Sequence, residues 1–232
     1  EPFDWNDESM RSRMFIASAR DPRFARTLIY NGATFKGQPV QSYVGGRNGR
    51  PLDGATPTSY YLRKHIVEAT SFVTGSEMSY QHIFPFFRYA EVLLNYAEAL
   101  AAATQNPDFT GMKGEVEYTL SPREALNAVR ARYNMPGITE TDYAAFVKRL
   151  RNERRVELAF EGHRFWDIRR WKIGAETTKV YGLTITPQND GSFSYMRSVI
   201  QQRGWEDRMN FYPIADAELF KNHNLVQNDG WK

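Results

Sequence analysis

Arg151-Asn152-Glu153-Arg154-Arg155-Val156-Glu157-Leu158-Ala159-Phe160-Glu161-Gly162-His163-Arg164-Phe165-Trp166-Asp167-Ile168-Arg169-Arg170-Trp171 is the stretch on which the reading of this chain turns. Counted as a helix with the residues before it, Phe146, Leu150, Glu153, Glu157 and Phe160 recur at intervals of four, three, four and three, on one face. Two carboxylates therefore stand inside an apolar stripe, where an unpaired charge is costly. One explanation is catalytic, because carboxylates at i and i+4 have Cβ atoms about 5–6 Å apart, near the separation of a retaining glycosidase pair. The surroundings favour another. Between Lys148 and Lys172, nine Lys and Arg accompany four Asp and Glu. Neighbouring guanidinium groups lower a carboxylate's pKa, whereas a general acid needs one raised. The stretch then reads as a buried ion-pair network joining Glu153, Glu157 and Glu161 to Arg130, Arg164, Arg169 or Arg170.

Helical signals extend to both sides. Phe87, Ala90, Leu94, Ala97 and Ala101 form one apolar row and Tyr89, Val92, Tyr96 and Ala99 a second, so a helix from about residue 86 to before Asn106-Pro107 is expected to be buried on most sides. Phe86, Phe87, Tyr89 and Tyr96 are accordingly expected in the core. Ser121-Pro122-Arg123-Glu124 supplies an N-cap, a proline at the first helical position and a capping-box glutamate, with Pro136-Gly137 as the stop. The next helix is expected from Thr139–Asp142 to Gly162, and a short one from His163 to Trp171. Beyond Gly174 the period changes. Val180, Leu183 and Ile185, then Asn189-Asp190-Gly191, then Phe193 and Tyr195 predict a β-hairpin. Residues 208–215 read as extended, at an edge because of Pro213, before a last helical turn from Asp216 to Phe220.

The rest of the chain is irregular. Residues 1–31 predict a short helix and turns, and residues 32–58, with six glycines and three prolines, predict loop. Gly45-Gly46-Arg47-Asn48-Gly49-Arg50 is not a phosphate loop, since it lacks the Gly-Lys-Ser/Thr ending and an apolar strand before it. Loop aromatics sit beside polar residues in two places: Trp5 with Asp7 and Arg11, and Tyr43 with Arg47 and Asn48. A sugar ring presents an apolar C–H face and a rim of hydroxyls, so a flat ring with Asp, Asn or Arg beside it fits carbohydrate. Each such ring also reads as simple packing onto the lobe.

Composition excludes much. The chain has 232 residues, 30 Lys and Arg against 27 Asp and Glu, and no cysteine, which removes disulfides, thiolate nucleophiles and Cys-based zinc. The arginines are interleaved with acids rather than gathered in one stripe, so no nucleic-acid partner is expected. The four histidines (His65, His82, His163, His223) are too far apart for a helical His–His metal motif, and no metal or cofactor is expected.

Several of these segments, in order, resemble the SusD/RagB-like family. They are Phe87 to Ala99, Ala125 to Arg132 with Pro136-Gly137, Arg151 to Trp171, Tyr212-Pro213-Ile214 with Glu218, and Asn224-Leu225, Gln227-Asn228 and Gly230-Trp231. Arg20-Asp21-Pro22-Arg23-Phe24 and Tyr61-Leu62-Arg63-Lys64 add to the match; Ala215, where the family commonly has a second proline, departs from it. The resemblance implies a mainly α fold, a tetratricopeptide-like α-α helical array with long loops and a small β-hairpin, in which residues 1–232 form the C-terminal lobe. It also implies glycan binding without catalysis, a surface-facing lipid anchor in the outer membrane lying upstream with the helical-repeat half, and a SusC-like TonB-dependent transporter as partner. Two alternatives stay open: a glycoside hydrolase using Glu153 and Glu157, and a module that binds only a protein or peptide partner.

Overall fold

A computed structural model of the chain describes residues 3–81 and 83–231; His82 lies outside them. Seven α-helices are present among the described residues: α1 (Glu8–Ser12), α2 (Phe24–Thr27), α3 (Tyr89–Thr104), α4 (Pro122–Ala131), α5 (Tyr143–Glu157), α6 (His163–Arg170) and α7 (Asp216–Lys221). Eight short to medium strands pair antiparallel in twos: β1 (Leu28–Ile29) with β4 (Tyr61–Leu62), β2 (Thr34–Phe35) with β3 (Gln38–Pro39), β5 (Gly111–Lys113) with β6 (Val116–Tyr118), and β7 (Lys179–Pro187) with β8 (Phe193–Gln202). The lobe divides into two compact units, Glu1–Pro39 with Tyr61–Glu161, and Val40–Tyr60 with Gly162–Lys232.

The first unit is built on α3, α4 and α5. Ala90, Leu93, Leu94, Ala97 and Ala101 of α3 meet Ala125, Leu126 and Val129 of α4 and Phe146 and Leu150 of α5 in one apolar cluster. The alanines let the backbones approach closely, and the mainly α reading rests on this core. Ser121 caps α4 as its sequence requires: its Oγ accepts from the Glu124 amide at 3.2 Å, and the Glu124 carboxylate accepts from the Ser121 amide at 2.8 Å. The Asp142 carboxylate caps α5, accepting from the Ala145 amide at 2.8 Å.

Three expectations fail here for physical reasons. Phe86, Phe87 and Tyr89 are 89%, 76% and 69% exposed, not core. They precede or begin α3, whose buried positions all face α4 and α5, while Tyr96 alone of the four packs against the cluster. Helix α5 ends at Glu157 rather than Gly162, because Phe160 (φ 63°) and Gly162 (φ 83°) are left-handed and reverse the chain. Phe160 thereby leaves the buried stripe and is half exposed. Helix α4 ends at Ala131, five residues short of Pro136, through turns that place Asn134 at φ 53°.

The second unit carries the predicted hairpin, which is longer than its sequence signal: nine residues of β7 face ten of β8, with an irregularity at Val180/Tyr181. Gly191 (φ 82°) and the Asp190 carboxylate, which accepts from the Ser192 amide at 2.9 Å, make the turn. The glycine-rich loop packs on β7, where the Val44 amide donates to the Ile185 carbonyl at 2.8 Å. Gly46 and Gly49 are required by close approach, since a Cβ there would come within 2.4 Å of the Gln41 carbonyl oxygen and 1.9 Å of that of Tyr43.

Residues 208–215 are not a strand. A 3-10 turn spans Asp207–Asn210, and the backbone after it is held by side-chain amides that imitate a neighbouring strand. Gln227 Oε1 accepts from the Ile214 amide at 2.7 Å, its Nε2 donates to the Ile214 carbonyl at 2.8 Å, and Asn228 Nδ2 donates to the Tyr212 carbonyl at 2.6 Å. Trp231 Nε1 donates to the carbonyls of Arg208 and Phe211, both at 3.1 Å. Ala215, the N-cap of α7, sits at φ −60°, an angle proline adopts without strain. Ala215→Pro is therefore expected to stabilise the fold by about 0.4–1 kcal/mol through the unfolded chain, measured as a higher urea midpoint with unchanged slope.

Candidate functional site

The chemistry-bearing cluster of the first unit is the set of carboxylates on and just after α5. Glu153 and Glu157 are 3% and 2% exposed and lie one above the other; Glu161 is buried at 6%. Arg23 inserts between the first two, with Nη1 2.5 Å from Glu153 Oε1 and 2.8 Å from Glu157 Oε2. Its other nitrogens grip Asp21 at 2.6 and 2.9 Å, and its plane lies over the Tyr133 ring. Arg88 closes the far side, with Nη1 2.6 Å from Glu157 Oε1, and Nε and Nη2 both 2.8 Å from Glu161. Arg130 Nη1 is 2.7 Å from Glu153 Oε2. Lys64 donates to the Glu161 carboxylate and to the carbonyls of Glu157 and Ala159 at 3.1 and 3.0 Å.

Four carboxylates thus face four cations. Burial works against the charge on Arg23 and Arg88, but their carboxylate partners outweigh it and hold both guanidinium groups more basic than usual. Burial likewise opposes ionisation of Asp21 and Glu161, and Arg23 for the one and Arg88 with Lys64 for the other pull both below the ordinary carboxylate range. Every oxygen of Glu153 and Glu157 accepts from a guanidinium. No oxygen is left to carry a proton to a leaving group or to attack a sugar, so the cluster fits an internal brace and not an acid–base pair.

Not every sequence-expected member joins the brace. Arg130 pairs with Glu153. Arg164 is half-buried in α6 of the second unit. Arg169 is placed elsewhere than expected: it stacks on Phe165 at 3.5 Å, with Trp205 at 5.3 Å and Tyr212 at 5.7 Å, because α6 turns it toward aromatic faces of its own unit. Arg170 pairs with Asp167 at 2.8 Å. Arg23, Lys64 and Arg88 are the partners that sequence reasoning missed, although each lies in a segment that resembles the family: Arg20 to Phe24, Tyr61 to Lys64 and Phe87 to Ala99.

The two sugar-directed trios fall in different units. In the first, Asp7 caps α1 through bonds from the Ser9 and Met10 amides at 2.8 and 3.3 Å, and Arg11 Nη1 donates to the Trp5 carbonyl at 2.6 Å. Trp5 is half-buried, 6.1 Å from the Phe3 ring. In the second, Asn48 Oδ1 accepts from the Gln41 amide at 3.0 Å, Tyr43 leans on Phe193 at 5.3 Å, and Arg47 is exposed. Much of the polar capacity of both trios is spent on their own loops.

Two further features carry no sequence signal of a site. Phe165, Trp166 and Tyr212 form a mutually contacting aromatic set in the second unit, with centroids 5.1 to 6.1 Å apart and Trp166 58% exposed. Trp205 supports it, lodged where a Cβ on Gly174 would come within 1.9 Å of its ring. In the first unit, a cleft of about 940 Å³ lies beside the carboxylate brace, between the amino-terminal segment and α5.

Comparison with known proteins decides the family. The chain matches the SusD family over residues 7–231. The chain belongs to the SusD family. A SusD-like protein of Bacteroides fragilis superposes with a TM-score of 0.73 at 29% identity, covering 93% of this chain and 40% of that one. A second protein of the same organism, described as a SusD-like carbohydrate-binding protein, gives 0.68 at 29%, covering 97% and 45%. SusD-like protein P2 of Formosa agariphila is 33% identical over 146 residues, which is 61% of this chain and 24% of that protein. The chain therefore spans less than half the length of these SusD relatives.

The brace yields two expectations. Glu157→Ala leaves Arg23 and Arg88 without a shared carboxylate and is expected to cost about 3–5 kcal/mol in urea unfolding. Glu218→Ala, which removes an exposed pair with Lys221, should cost under about 1 kcal/mol. Because the folded pKa values of Asp21 and Glu161 lie below the ordinary 3.8 and 4.5, their contribution is intact above those values and lost as pH falls beneath them. Thermal midpoints should stay level from pH 7 to about pH 5 and drop steeply between about pH 4 and 2; a flat profile there would show that the brace adds nothing.

Proposed function

We propose that this protein binds glycans at the outer membrane without cleaving them and passes them to a SusC-like TonB-dependent transporter. The observation that carries this reading is membership of the SusD family over nearly the whole chain, with a fold shared with a relative described as carbohydrate-binding. The pairing of every oxygen of Glu153 and Glu157 with a guanidinium supports the absence of hydrolysis. No helix among the described residues is long and apolar enough to cross a membrane, and the attachment proposed is the lipid anchor that the family resemblance implies. Trp5 with Asp7 and Arg11, and Tyr43 with Arg47 and Asn48, stand as proposed contacts, the rings for the C–H face of a sugar and the polar groups for its hydroxyls.

A second reading, a module that binds only a protein partner, draws on one observation. Phe72, Ile83, Phe86, Phe87 and Tyr89 are all more than two-thirds exposed, an amount of aromatic and aliphatic surface that suits protein contact.

A glycan-array screen followed by calorimetry, on the protein at its full encoded length and with product analysis of each hit, separates the readings. Saturable binding with the saccharide recovered intact is expected, weakened about tenfold by Trp5→Ala or Tyr43→Ala, as loss of one stacked ring implies. Cleaved product, abolished by Glu157→Gln in a folded protein, would establish a hydrolase. No saccharide binding together with co-purification of a transporter would favour the protein-partner module.

A further inference from the structure

The cleft beside the brace is rich in hydrogen-bond donors and poor in acceptors. Six arginines and two carboxylates line it. Both carboxylates are consumed, Asp21 by Arg23, and Glu153 by Arg23 and Arg130. Arg149 is paired with Glu140 at 2.6 Å. Three guanidinium groups remain that bond to no carboxylate, although the charge of Arg13 also acts on the nearby Asp7 carboxylate. Arg13 bonds only to the Ser9 carbonyl at 2.9 Å and to its hydroxyl at 3.5 Å. Arg20 reaches the Met14 carbonyl at 3.5 Å and lies over the rings of Phe3 and Phe24 at 5.0 and 4.8 Å. Arg155 is exposed and has no partner among the described residues. Against these donors the walls offer the Asn152 amide and the hydroxyls of Ser18 and Thr27.

This imbalance selects for a ligand. The hydroxyls of a neutral sugar donate as well as accept, and carbohydrate sites meet them with carboxylates and amides. A carboxylate or sulfate only accepts, and a guanidinium matches its two oxygens with two parallel donors. The cleft also has a ring at hand. Phe160 is 51% exposed and held at φ 63°, a backbone state unfavourable for a non-glycine residue and found most often where function fixes it.

We propose that this cleft binds an acidic oligosaccharide, its uronic-acid carboxylates or sulfate esters held by Arg13, Arg20 and Arg155 and one sugar ring resting on Phe160. The proposal rests on the glycan-binding reading and narrows it to a charged class. Arg20 is pre-positioned by the two rings beneath it and Arg13 is held by Ser9, whereas Arg155 is exposed and can close on the oxyanions.

Calorimetry on the protein at its full encoded length tests this with four probes of similar size: an oligogalacturonate, a sulfated galactan oligosaccharide, a neutral galacto-oligosaccharide and a single-stranded oligonucleotide. At least one acidic saccharide is expected to bind about tenfold or more tightly than the neutral one, and which of the two does so distinguishes carboxylate from sulfate. The double variant Arg13→Gln/Arg155→Gln should lose about tenfold for that ligand and flatten its salt dependence. Its melting temperature should not change, since neither side chain holds an ion pair. The proposal is overturned if the double variant binds the acidic saccharide as the parent does, or if the oligonucleotide binds equally well. It also fails if the acidic saccharides bind no better than the neutral one. In that last case binding of neutral glycans on the array would leave the broader reading standing.

Discussion

Arg23 wedged between Glu153 and Glu157 is the contact on which the first unit depends. An arginine only 4% exposed is tolerable because all three of its side-chain nitrogens donate to carboxylates, and two carboxylates at i and i+4 of a buried helical face are tolerable because Arg23, Arg88 and Arg130 stand against them. The arrangement is self-consistent but has no slack. Arg23 and Arg88 each serve more than one carboxylate, so removing either leaves Glu157 short of a partner. A hydrophobic core of the same size would give comparable stability, but it would not fix the register of the amino-terminal segment against α5. Charge pairing supplies that register.

The same brace weighs against acid–base chemistry in a cluster that has the right spacing for it. Catalytic carboxylates need one member kept protonated and one left open to substrate. Here the oxygens are occupied and the burial is that of a core. The cleft proposed for ligand lies just outside the brace, on residues that bond to none of its carboxylates.

Local signals were legible and long-range ones were not. The Ser121–Glu124 box and the Asp142 cap are written within four residues and appear where expected. That Glu153 and Glu157 needed cations was also readable, from periodicity and the cost of buried charge. Which cations was not, since Arg23 and Lys64 lie outside the periodic segments, and the period of the helix that Arg88 begins says nothing of a partner 69 residues away. Phe86, Phe87 and Tyr89 show a different limit: apolarity says that a residue gains from burial, not which side of a helix has a neighbour. Phe160 leaves its expected place because nothing in Leu158-Ala159-Phe160 marks a stop, and the reversal depends on a phenylalanine adopting an angle more natural to glycine. Of the sugar-directed residues, the sequence could show suitable chemistry but not that Asp7 and Asn48 spend oxygens on their own turns.

The distance along the chain between the two halves of the brace has a consequence for how the protein is made. Arg23 and Glu153 are 130 residues apart, and Arg88 and Glu161 are 73 apart. Synthesis delivers the cations first, and apart from Asp21 their counter-charges emerge only with the last turns of α5 and the residues just after it. Helices α3, α4 and α5 can begin to associate through nearby apolar contacts, but the amino-terminal segment cannot lock until a long loop has closed, a step that slows with sequence separation. A ribosome-bound chain that has not yet exposed residue 153 therefore carries unmatched arginines and an open core edge. The brace acts as the final latch of the first unit, and a translation pause before α5 would prolong the interval in which the nascent chain most needs a chaperone.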